Sequence, residues 1–61
     1  MVTKEEFVQQ WNNELRNPKR VKLSCINIYV DDIEVYDSGV NFYRKKAFIC
    51  FVPYMLILEV D

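Results

Sequence analysis

Hydrophobic and polar positions change their period along this chain. Between Phe7 and Leu15 the spacing is helical: Phe7, Trp11 and Leu15 recur every four residues and Val8 widens the stripe. Gln9, Gln10, Asn12, Asn13 and Glu14 make the opposite, solvated side. Thr3-Lys4-Glu5-Glu6 reads as a capping box, with the Thr3 hydroxyl accepting from the Glu6 amide and the Glu6 carboxylate reaching back to the Thr3 amide. Val2 and Phe7 are placed as a hydrophobic staple, and Glu5 and Glu6 suit the positive end of the helix dipole. Asn17-Pro18 ends the pattern, because a residue before proline is pushed out of the helical region. The expected helix runs from about Lys4 to Arg16.

Beyond Pro18 the period shortens to that of strands. In Lys19–Val30 the alternation changes phase: Val21, Leu23 and Cys25 share one side, but Ile26, Ile28 and Val30 share the other. Either this strand is apolar on both faces or a bulge near Ser24–Cys25 flips it. Asp31-Asp32 interrupts, and Ile33-Glu34-Val35-Tyr36 alternates again. Asp37-Ser38-Gly39 is the clearest turn, and Gly39, the only glycine, fits the left-handed position of a three-residue hairpin loop. Pairing Tyr36 with Val40 sets Asp32 opposite Arg44 and Asp31 opposite Lys45, each pair contributing roughly 0.2–1 kcal/mol. A rival register turns at Asp31-Asp32 and gathers Lys19, Arg20, Lys22 and Arg44 at one end of the sheet.

The stretch Ala47–Leu58 carries no charge over twelve residues. It is too short for a membrane span, which needs about 20 apolar residues, and Pro53 interrupts it. Its β-branched and aromatic residues favour two strands, roughly 47–52 and 54–60, or one strand bent at Pro53. Phe48, Cys50 and Val52 then oppose Ala47, Ile49 and Phe51; Tyr54, Leu56, Leu58 and Val60 oppose Met55 and Ile57. Both faces are apolar, the mark of a strand covered on two sides.

These elements give an α+β fold: one N-terminal helix packed on one face of an antiparallel β-meander of three strands, or four if Asp31-Asp32 is a turn. A helix is about 10–12 Å wide and strands lie about 4.8 Å apart, so the lid spans two strands or slightly more on one face. The second face is left without cover. Tyr43, Ile49, Phe51, Tyr54, Met55 and Ile57 are its candidate partner-binding residues, since an exposed apolar patch of that kind usually meets another protein surface. The plain alternative is that the tyrosines merely close the core with their hydroxyls in water.

Composition narrows the chemistry. Sixty-one residues, 51% of them hydrophobic and 15% aromatic, argue for one small folded domain rather than disorder. The net charge of −1 favours no particular charged partner. The polar N-terminus has no apolar signal core, and reduced thiols at Cys25 and Cys50, read as buried in strands, fit a cytoplasmic setting. Without histidine there is no His-based triad, general base or typical zinc site, and one glycine cannot build a phosphate loop. Asp31, Asp32, Glu34 and Asp37 read as a solvated hairpin rather than a metal site, and no cofactor is expected. The expectation is a non-enzymatic protein-binding or self-assembling module of the small inhibitor or adaptor type, compatible with a phage or mobile-element accessory protein. Its partner is a protein or a second copy, not a membrane. The alternative is single-stranded nucleic-acid binding through Lys19, Arg20, Lys22, Arg44, Lys45 and Lys46 with nearby aromatics.

Overall fold

A computed structural model describes residues 1–61. The helix α1 (Lys4–Asn13) is followed by β1 (Lys19–Leu23), β2 (Asn27–Val30), β3 (Asp32–Val35), β4 (Gly39–Arg44), β5 (Ala47–Pro53), a 3₁₀ turn (Tyr54–Leu56) and β6 (Ile57–Val60). The fold is α+β, an N-terminal helix followed by antiparallel strands. The strands are more numerous and shorter than the three or four expected, and they divide into two sheets, ordered β2-β1-β6 and β3-β4-β5.

The helix begins as its cap dictates. Glu6 N–H donates to Thr3 Oγ1 (3.1 Å) and Thr3 N–H donates to Glu6 Oε1 (2.9 Å). It ends at Asn13, a turn before the expected Arg16. Glu14 is already extended, and its carboxylate takes the Arg16 amide and guanidinium. Leu15, expected in the apolar stripe, therefore stands in solvent at 92% exposure.

The phase change in Lys19–Val30 is a hairpin. Ser24 and Cys25 form its bend, Leu23 N–H donates to the Ile26 carbonyl (2.9 Å), and Val21 pairs with Ile28. Cys25 is thus exposed in a turn rather than buried in a strand. Asp31 is a bend and not a hairpin turn. It carries the chain from β2 in one sheet to β3 in the other, with its amide donating to the Tyr43 carbonyl (3.0 Å). Pro53 likewise does not bend one strand. It precedes a 3₁₀ turn that delivers the chain back to the first sheet.

The β3–β4 register is one residue from that expected: Val35 pairs with Val40 and Asp32 with Tyr43. Asp32 therefore does not face Arg44, and Asp31 instead accepts from the Lys45 amide (3.0 Å). Gly39 has no positive φ. Its role is steric, because a Cβ there would lie 2.5 Å from the Val52 carbonyl oxygen and 2.6 Å from Phe51 Cζ. The left-handed residues are Lys45 (φ 51°) and Lys46 (φ 67°), which close the two-residue β4–β5 hairpin.

The core lies between the two sheets. Phe7 enters from α1 with no exposed surface, against Phe42 (ring centroids 5.9 Å apart) and Tyr54 (6.3 Å). Val21, Val30 and Ile57 from one sheet and Val40, Phe42 and Val52 from the other surround it. Beyond inserting Phe7, the helix segment guards the outer edge of β6. Val2 N–H donates to the Ile57 carbonyl (3.1 Å), and Gln10 Oε1 accepts from the Val60 amide (2.8 Å).

Candidate protein-docking surface

Nine hydrophobic residues fill the core, while eleven large hydrophobic side chains remain exposed, so the excess surface expected from the sequence is present. Single exposed apolar residues are ordinary; a cluster is not. Here three of the eleven share one groove. Leu23 at the end of β1 and Cys25 and Ile26 of the β1–β2 turn face Phe51, Val52 and Pro53 of β5 and Leu56 of the 3₁₀ turn, lining an open hollow of about 260 Å³. Ile26 is 61% exposed and Phe51 45%, so the groove opens to solvent. Phe48 and Ile49 continue the apolar strip along β5, and both are exposed.

The local folding explains this placement. Val40 and Phe42 of β4 point inward, which turns Gly39, Asn41 and Tyr43 to the outer face. Phe51, paired with Asn41, lies on that face with its ring over Gly39. A bulge opposite Phe42–Tyr43 gives β5 an extra residue, and Phe48 pairs with Tyr43, their rings 5.7 Å apart and edge-on.

The six candidate partner residues fare differently. Ile49, Phe51 and Met55 are exposed. Ile57 is not part of any docking surface: it is fully buried, because the 3₁₀ turn and a bulge in the β1–β6 pairing place Ile57 and Val60, rather than Leu58, toward the core. Tyr54 belongs mainly to the core boundary. Its ring packs on Phe7, its hydroxyl donates to the Tyr36 carbonyl (2.6 Å), and burial raises its phenol pKa above the ordinary value. Tyr43 is half-buried on the outer face, with its hydroxyl donating to Glu34. Ile26, Phe48 and Leu56 were not among the candidates. The signal for Ile26 was the phase change beside it, which marked a turn and hence an exposed apolar residue.

The basic residues are largely engaged or dispersed. Arg20 makes a two-pronged pair with Asp61 (2.9 and 2.6 Å), which raises the guanidinium pKa and lowers that of the carboxyl. Lys22 Nζ lies 3.0 Å from Glu59, and Lys19 Nζ sits 4.8 Å from the centre of the Trp11 ring. Arg44, Lys45 and Lys46 belong to the hairpin tip of the other sheet. The acidic side chains are also occupied. Asp37 pairs with Lys4 (2.7 Å) and Glu34 accepts from Tyr43 and Asn41, each carboxyl being held below its ordinary value by those donors. No three His, Cys, Asp or Glu side chains gather where they could hold a metal ion. Cys50 is half-buried, and burial pushes its thiol pKa up, away from the reactive thiolate. No helix is long and apolar enough to cross a membrane.

Comparison of the chain with protein-family models, with curated proteins and with solved structures finds no match.

Proposed function

We propose that this chain is a non-enzymatic binding module that docks protein through the apolar groove between the β1–β2 turn and β5. The observation that carries this reading is the clustering of Ile26, Phe51 and Leu56 around one open, almost wholly apolar hollow. Docking sites for protein are built this way: apolar anchors at the centre, polar groups at the rim. Ser24 and the Lys45-Lys46 tip supply polar groups near the two ends of the strip. The nucleic-acid alternative loses weight because carboxylates already match Arg20 and Lys22.

The test is site-specific photo-crosslinking in cells expressing the chain. A photoreactive residue at Ile26 or Leu56, both lining the groove, is expected to give a discrete protein adduct, either a second copy or one other protein. The same group at Leu15, equally apolar and 92% exposed but away from the groove, is expected to give none. Adducts at Leu15 matching those at Ile26, or no adduct at either position, would contradict the proposal.

A further inference from the structure

The two sheets have four edges, and three are guarded. The edge of β6 is bonded by Val2 and Gln10. β3 carries exposed Asp32 and Glu34, the kind of charge that discourages pairing. β2 is only four residues long and runs on through Asp31 into the second sheet. The remaining edge, β5, is the longest strand, reads AFICFVP without a charged or polar side chain other than the Cys50 thiol, and has no strand on its outer side. Its bulge at Phe48–Ile49 and Pro53 shorten the regular edge to Cys50–Val52, but an apolar, uncharged edge of even that length is a template for another strand.

The bonding pattern fixes which groups it offers. Gly39 and Tyr43 direct their carbonyls toward β3 and Asp31. Val40 and Phe42 therefore bond toward β5, where their partners are Val52 and Cys50. That alternation turns the amide and carbonyl of Phe51 to the open edge. Pro53 has no N–H and closes the usable stretch at its far end.

We infer that the occupant of this edge is a second copy of the chain: β5 pairs antiparallel with β5 of its twin about a two-fold axis at Phe51, joining two three-stranded sheets into one of six. This rests on the reading of the groove as a protein-docking surface and names what docks there. Three observations select the second copy. An isologous pairing needs a self-complementary patch, and an uncharged strand sets no like charges opposite each other. Antiparallel pairing about Phe51 brings Phe48 and Ile49 of one copy, both exposed, alongside the groove flanking Phe51–Pro53 of the other. The area also suffices. Ile26, Phe48, Ile49, Phe51 and Leu56 are each 41–61% exposed. They offer about 500 Å² of largely apolar surface per copy. With backbone and rim the two copies together bury about 1,000 Å², the low end of specific interfaces, where weak and transient pairings lie.

The test combines sedimentation equilibrium with amide exchange on the intact chain. The wild type is expected to be a monomer–dimer mixture across about 1–500 µM, with the Phe51 amide exchanging more slowly as concentration rises. Ile49→Lys, at an exposed position, is expected to give a folded monomer by circular dichroism at every concentration, and Phe51→Lys serves as a second variant. Leu15→Lys is the charge control and is expected to dimerise like the wild type. A wild-type monomer throughout would overturn the inference, leaving the photo-crosslinking adduct to decide the broader docking reading. A dimer that persists in both edge variants, or that leaves Phe51 exchange independent of concentration, would overturn edge pairing while the groove reading stands.

Discussion

Gly39→Ala isolates the contact that seats Phe51 on the outer face. Gly39 is not in the left-handed region, so alanine meets no backbone penalty there and would by itself stabilise the chain by about 0.4–1 kcal/mol through the unfolded state. Against this, the new Cβ would lie 2.5 Å from the Val52 carbonyl oxygen, 2.6 Å from Phe51 Cζ and 2.9 Å from Pro53 Cα. Two of these neighbours are backbone and cannot swing aside. Overpacking costs about 1–3 kcal/mol, and two backbone contacts below 3 Å put this site in the upper part of that range, about 2–3 kcal/mol, leaving a net loss of about 1–2 kcal/mol. A 61-residue chain has a total stability of about 3–9 kcal/mol, so the loss is a large share of it. Urea unfolding should show a lower midpoint with an unchanged slope, and Tm should fall by about 5–15 °C. Gly39→Asn separates the steric cause from a conformational one. A left-handed site would accept asparagine, whereas this site should reject it at least as strongly as alanine. In a Phe51→Ala background the Gly39→Ala cost should shrink but not vanish, because the Val52 and Pro53 contacts remain. A Gly39→Ala protein with Tm within about 2 °C of the wild type would refute the close approach.

Lys45→Asn with Lys46→Gly replaces two left-handed lysines by the pair this hairpin prefers, and thermal unfolding should report a gain of about 1 kcal/mol; a lowered Tm would contradict the turn assignment. Phe7→Ala removes the one helix residue that is fully buried, costing about 3–5 kcal/mol, so circular dichroism should find the chain substantially unfolded at 25 °C. Acid should destabilise in a defined window. Glu6, Glu34, Asp37 and Asp61 are held below their ordinary values by their donors, and Glu14 is lowered to about 2 by Arg16. Each such carboxylate stabilises the fold while ionised, fully so above its unfolded value. Tm should therefore stay level with respect to these groups at pH 5–8 and fall as pH drops from about 4.5 toward 2. Lys4 and Arg20 are raised by their carboxylate partners, and their contribution would be lost only above about pH 10.

How much could be read from the residues depends on whether the signal was local. The capping box of Thr3 and Glu6 satisfies backbone groups within one turn, and it forms as written. Helix length was not local: Leu15 has the right spacing, but the chain is already extended at Glu14 and no core lies beneath Leu15. The Ser24–Cys25 hairpin has only serine, the weakest of the turn-favouring residues, at its bend, so the phase change was the main mark of it. The β4–β5 turn was hidden for the same reason, since lysine is rarely placed at positive φ. Gly39 marked a turn for the wrong cause, and the one-residue register error followed, exchanging which cross-strand partners meet. Ile57 was misplaced because strict alternation was carried through Pro53, where a 3₁₀ turn and a bulge reset the phase. The apolar excess survived these errors because it depends on totals. Its location between the β1–β2 turn and β5 is a property of tertiary packing.

The central claim is that the apolar edge of β5 and its groove are covered by protein, and specifically by the same strand of a second copy. Isotope-filtered nuclear Overhauser spectroscopy on an equimolar mixture of labelled and unlabelled chain tests this most directly. The expected result is intermolecular cross-peaks confined to Phe48–Val52 and the groove residues Ile26 and Leu56, with Phe51 of one copy close to Phe51 of the other. Intermolecular cross-peaks from α1 or from the Asp32–Glu34 edge, or none at a concentration where the chain sediments as a dimer, would contradict it.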